Sequence, residues 1–119
     1  MQLEPRDPAY LWDMLEAARE VQEFTTGVSY EQYLGNRVLQ LAVERKLEVI
    51  GEAARRVSET VREAHPEIPW QPIISQRNVI SHQYGEIKHE RIWEVVDVHI
   101  PALILMLEPL IPPIPHENP

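Results

Sequence analysis

The sequence predicts an all-α protein, an antiparallel bundle of four helices, and three observations carry that reading. Only 4 of the 119 residues are glycine, 44% are hydrophobic, and the apolar residues recur at spacings of three and four over long stretches. A chain of this length makes about one domain with a real core. Residues 1–108 are expected to form that helical domain, and residues 109–119 a proline-rich tail.

The first helix is expected at about Pro8 to Thr25. Asp7 can cap its free amides, and Pro8 fits the first helical position, where no N–H is needed. Leu11, Leu15, Ala18 and Val21 give it an apolar face, and Gly27 ends it. Ser29-Tyr30-Glu31-Gln32 then reads as a capping box. No proline intervenes before Pro66, and an apolar stripe of Leu34, Val38, Leu41, Ala42, Ile50, Ala53, Val57, Val61 and Ala64 predicts one long second helix. Gly51 interrupts it at a cost of about 1 kcal/mol relative to alanine, which a close helix crossing could offset. Its arginines and lysine alternate with glutamates, as on a solvated helix face.

Prolines 66, 69 and 72 break that helix and open a short third one, about Trp70 to His82 or Tyr84, ended by Gly85. A fourth helix, about Lys88 to Leu107, carries Ile92, Trp93, Val96, Ile100, Leu103, Ile104 and Leu107. Pro101 within it predicts a kink or a freed carbonyl near Asp97.

Composition excludes several functions. There is no cysteine, hence no disulfide, thiolate zinc site or cysteine nucleophile. The polar N-terminus lacks the apolar core of a signal peptide, so a cytoplasmic location is expected. No segment is long and apolar enough to span a bilayer, and no membrane partner is expected. A formal charge of −8 argues against general adhesion to nucleic acid, so any RNA-directed role needs a local basic cleft. Glu86-Ile87-Lys88-His89 is the single Glu-x-x-His unit, where a dimetal bundle site needs two, and His65, His99 and His116 are scattered. No metal and no cofactor is expected.

Chemistry concentrates in Arg77-Asn78-Val79-Ile80-Ser81-His82-Gln83-Tyr84. On a helix at about 100° per residue, Arg77 and Tyr84 fall almost on one line with Ser81 between them. Arg77 and His82 stand about 140° apart, so a site using both needs a loosened turn or a second copy of the helix. Without a metal, RNA can be cleaved by its own 2′-hydroxyl. An imidazole then moves the proton, and a guanidinium neutralises charge on the phosphate.

Arg77-x4-His82-x-Tyr84 matches the signature of the HEPN superfamily. Lys46-Leu47-Glu48-Val49-Ile50-Gly51-Glu52-Ala53-Ala54, and Ile68-Pro69-Trp70 before the motif, resemble its HepT-like branch. The resemblance runs from about Arg37 to Leu107. It implies a homodimeric HEPN-like fold and a metal-independent ribonuclease that is the toxin of a toxin–antitoxin pair. Two motif copies would line a cleft at the dimer interface, with the first and third helices as candidate contacts. Arg77 and His82 would be catalytic, and Asn78 and Ser81 supporting. The antitoxin partner would be a minimal nucleotidyltransferase able to transfer AMP to Tyr84, whose added bulk and charge would block RNA phosphate. Ser75-Gln76 departs from the small and apolar pair that relatives commonly carry before Arg-Asn; Gln76 would alter the packing of the motif helix or widen the cleft. The alternative is a catalytically silent HEPN module that binds a nucleotide or its nucleotidyltransferase partner.

Overall fold

The computed structural model of the chain describes residues 4–76 and 89–111, and all regular structure among them is helical. The first helix, α1, spans Asp7–Thr25 and buries Leu11, Met14, Leu15, Ala17, Ala18 and Val21. Gly27, at φ 75°, turns the chain away from it. Asp7 does not cap this helix as expected. Arg6 holds the cap position, and Asp7 is the first helical residue. Its carboxylate accepts hydrogen bonds from the Glu4 amide at 2.8 Å, the Ser58 amide at 2.8 Å and the Ser58 hydroxyl at 2.7 Å.

The long second helix resolves into three: α2, Tyr30–Leu34; α3, Arg37–Arg56; and α4, Glu59–Ala64. The capping box forms as expected, with the Gln32 amide donating to the Ser29 hydroxyl and the Ser29 amide donating to the Gln32 side chain. The breaks follow from local side-chain competition with the helix. Asn36 accepts from the Leu39 amide at 3.0 Å and starts α3 afresh. Ser58 caps α4 through the Val61 amide while Asp7 holds it from across the chain.

These restarts reset the helical phase, which overturns part of the expected stripe. Leu34, Val38 and Leu41 are 45%, 78% and 50% exposed. The inward face of α3 is Gln40, Val43, Glu44, Leu47, Ile50, Gly51, Ala53 and Ala54, so Ile50 and Ala53 keep their expected places.

Helix α5, Trp70–Ser75, follows the prolines, and the Trp70 indole N–H donates to the His65 carbonyl at 3.0 Å. The rest of the expected third helix lies outside the described residues. The last helix is disturbed ahead of Pro101, as the sequence predicts. Helix α6, His89–Glu94, passes through a π-helical turn, Val95–His99, into α7, Ile100–Leu107. Proline has no N–H for the Asp97 carbonyl, and the wide turn surrounds that residue.

Among the described residues, α1 packs against α3 and α7, and α5 against α3. Among the described residues the chain thus runs through α1, the α2–α3–α4 series, the short α5 and the continuous α6–α7 segment, an all-α arrangement as expected. No described helix is long and apolar enough to cross a membrane.

Candidate functional site

Arg77, Asn78, Ser81, His82 and Tyr84 all lie outside the described residues. The described chain shows what holds the two ends of that segment: the entry rests on α3 and the exit on Tyr33 of α2.

At the entry, Gly51 lets α5 approach closely. A Cβ there would stand 3.1 Å from the Ile73 carbonyl oxygen, so the glycine offsets its helical cost by admitting the neighbouring backbone. One turn earlier on α3, the Leu47 carbonyl accepts a hydrogen bond from Gln76 Nε2 at 2.9 Å. Gln76 thus ties the start of the motif to α3.

At the exit, His89 begins α6 with its ring edge-on to Tyr33, centroids 5.9 Å apart. Tyr33 is fully buried and also packs on Trp93, 5.1 Å away. Burial first, and the Glu44 charge second, push its phenol well above the ordinary value, with Arg37 opposing. Glu44 is 5% exposed, and its Oε2 lies 3.6 Å from the Arg37 guanidinium. Arg37 donates to Gln40 Oε1 at 3.1 Å, and Gln40 Nε2 donates to the carbonyls of Tyr33 and Leu34 at 3.1 and 3.0 Å. The Tyr33 hydroxyl, Glu44 Oε2 and His89 Nδ1 are buried with no hydrogen-bond partner among the described residues.

Sequence reasoning did not single out Tyr33 or Glu44. A signal was present: Gln40, Glu44, Leu47 and Gly51 fall at i, i+4, i+7 and i+11, which puts a carboxylate in line with core positions.

Two grooves flank this framework. One, of about 460 Å³, lies between α5 and the α6–α7 rod, with Ile50, Ile73, Leu103 and Met106 in its walls and Gln76 and Arg91 at its edge. His99 also lines it. The other, of about 580 Å³, lies between α1 and α3 and includes Tyr10, Asp13, Arg45, Glu52 and Arg56. Its charges are largely matched with one another. Glu52 meets both Arg55 and Arg56, and Arg45 reaches Glu48 at 4.0 Å, as a solvated helix face does. The guanidinium of Arg6, followed by that of Arg56, holds the Tyr10 phenol below its ordinary value.

His65 pairs with Glu67 at 3.2 Å. Among the described residues, no group of three or more histidines or carboxylates could hold a metal ion.

The sequence model of the family described as Ribonuclease HepT-like matches residues 14–110. The chain is 37% identical over 95 residues to "Putative RNase MJ1380" of Methanocaldococcus jannaschii, covering 80% of this chain and 87% of that one. It is 36% identical over 94 residues to "Probable ribonuclease HepT" of Thermococcus cleftensis, covering 79% and 86%. No solved structure matches the chain.

Proposed function

Because the chain belongs to the HepT-like ribonuclease family, we propose that it is a metal-independent endoribonuclease whose reaction is carried by Arg77 and His82. The observation that carries this reading is the Arg77-x4-His82-x-Tyr84 spacing inside the family match. The contacts on α2 and α3 that hold the chain on either side of the motif support it.

In the proposed reaction the RNA 2′-oxygen attacks the adjacent phosphorus and the bond to the 5′-oxygen breaks, leaving a cyclic phosphate and a 5′-hydroxyl. His82 of one copy takes the 2′-hydroxyl proton, and His82 of a second copy gives a proton to the departing oxygen. Arg77 stabilises the charge gathering on the non-bridging oxygens. Asn78 and Ser81 orient these groups. A homodimer brings the two motifs together, which answers the angular separation of Arg77 and His82 on one helix.

The same reading makes the protein the toxin of a pair. Its antitoxin is a minimal nucleotidyltransferase that transfers AMP from ATP to the Tyr84 hydroxyl, releasing pyrophosphate. An adenylyl phosphate there competes with RNA phosphate for Arg77.

The test is cleavage of RNA by purified protein in the presence of a chelator, with Arg77→Ala and His82→Ala beside it. The wild type should cleave, and His82→Ala should lose about 100-fold or more in rate with its oligomeric state unchanged. Cleavage by His82→Ala at the wild-type rate would overturn the assignment. A dimer that binds a nucleotide and cuts no RNA would point to the silent module. Intact mass after incubation with ATP and the nucleotidyltransferase reports the Tyr84 step, and Tyr84→Phe should stay unmodified.

A further inference from the structure

Tyr33 occupies an unusual place for a tyrosine. Its ring is fully buried between His89 and Trp93, yet among the described residues its hydroxyl finds no hydrogen-bond partner. A phenylalanine would fill the same space without that cost, since an unsatisfied buried hydroxyl costs about 1–3 kcal/mol. Glu44 repeats the pattern on α3: its carboxylate is buried, its Oε2 has no hydrogen bond, and the Arg37 guanidinium stands off at 3.6 Å. His89 Nδ1 makes a third unused polar atom. Tyr33 joins the other two, with its ring against His89 and its carbonyl held by Gln40, one helical turn before Glu44 on α3.

These atoms are complementary. The phenol can donate, the carboxylate can accept, and the imidazole can do either. Their location is specific as well. His89 follows Tyr84 by five positions in the chain, and Glu44 lies within one turn of Leu47, which holds Gln76 at the other end. Hydrogen bonds of a working site are often long before substrate binds and tighten in the complex.

We infer that Tyr33 is a positioning residue for the ribonuclease reaction: with RNA bound, its hydroxyl closes on the Glu44 carboxylate, and that bond, through the ring contact with His89, fixes the exit end of the catalytic segment. The inference rests on the ribonuclease reading above. Glu44 is the fixed acceptor, beside the Arg37 guanidinium that Gln40 braces on α3, and the energy of closing the bond is realised when substrate is in place.

The experiment is steady-state RNA cleavage by the full chain carrying Tyr33→Phe, Glu44→Gln or both, with thermal unfolding of each. Tyr33→Phe should lower kcat about tenfold or more with KM within about twofold, while its Tm is unchanged or higher because the orphan hydroxyl is gone. Glu44→Gln should show the same split, and the double variant should fall no further than the weaker single one. A packing role alone predicts full activity in Tyr33→Phe. Wild-type kcat in that variant, or independent and multiplying losses in the double variant, would overturn the inference while leaving the ribonuclease reading intact. A wild-type chain that cleaves no RNA would overturn that reading, and this inference with it.

Discussion

Asp7 shows how a single side chain can join distant parts of this fold. Burial pushes its carboxyl up, but the Ser58 amide, the Ser58 hydroxyl and the Glu4 amide together outweigh burial and hold it below the ordinary carboxylate value. A lowered folded-state value means that the stabilisation is complete above the unfolded value of about 3.9 and is lost as pH falls through the folded one. Asp7→Ala should therefore cost about 2 kcal/mol at pH 7, by leaving the Ser58 groups without their acceptor. That cost should shrink toward pH 3. Urea unfolding of both proteins at the two pH values checks it, and equal midpoints at pH 7 would show that water replaces the carboxylate. The sequence marked Asp7 as a polar anchor at the start of a helix but could not show its partner, because Ser58 lies 51 positions away. Gln76 is similar: its departure from the family pattern was visible, and its bond to the Leu47 carbonyl was not.

Helices were legible where their signals are local. The capping box at Ser29 and Gln32, the turn at Gly27 and the disturbance around Asp97 all depend on residues a few positions apart. The single long second helix failed for a related reason. Asn36 and Ser58 each offer the backbone a cap, and an uninterrupted apolar count does not register that competition. Once α3 restarts at Arg37, its inward face passes through Glu44 and Gly51, while Leu34, Val38 and Leu41 turn outward. Gly51 then tests how α3 and α5 fit. Alanine would return about 1 kcal/mol of helix propensity, but its Cβ meets the Ile73 carbonyl at 3.1 Å, and α5 is also tied by Gln76. Overpacking of this kind costs about 1–3 kcal/mol, so Gly51→Ala should destabilise by about 1 kcal/mol net. It should also slow RNA cleavage by moving the helix that leads to Arg77. A more stable, fully active Gly51→Ala protein would show that α5 shifts freely.

For the whole molecule, charge sets the terms on which RNA can be approached. A chain of formal charge −8 repels a polyanion, and a dimer doubles that charge. The basic residues of the described helices are mostly committed: Arg19 to Glu108, Lys46 to Glu20, and Arg55 and Arg56 to Glu52. Attraction must then come from the few cations of the proposed cleft, with Arg77 from each copy foremost. For single strands the logarithm of affinity falls by about 0.7 per neutralised phosphate for each tenfold rise in salt. Two such contacts give a loss of about 25-fold, and screening of the chain's own negative field reduces it further. RNA binding by the His82→Ala variant should therefore weaken by less than about 30-fold between 30 and 300 mM salt, a span chosen as about one decade. Fluorescence anisotropy with a short labelled RNA measures it. A loss of about a thousandfold would require four or more phosphate contacts, and would mean that RNA runs over a broad basic surface and is not held at a small cleft.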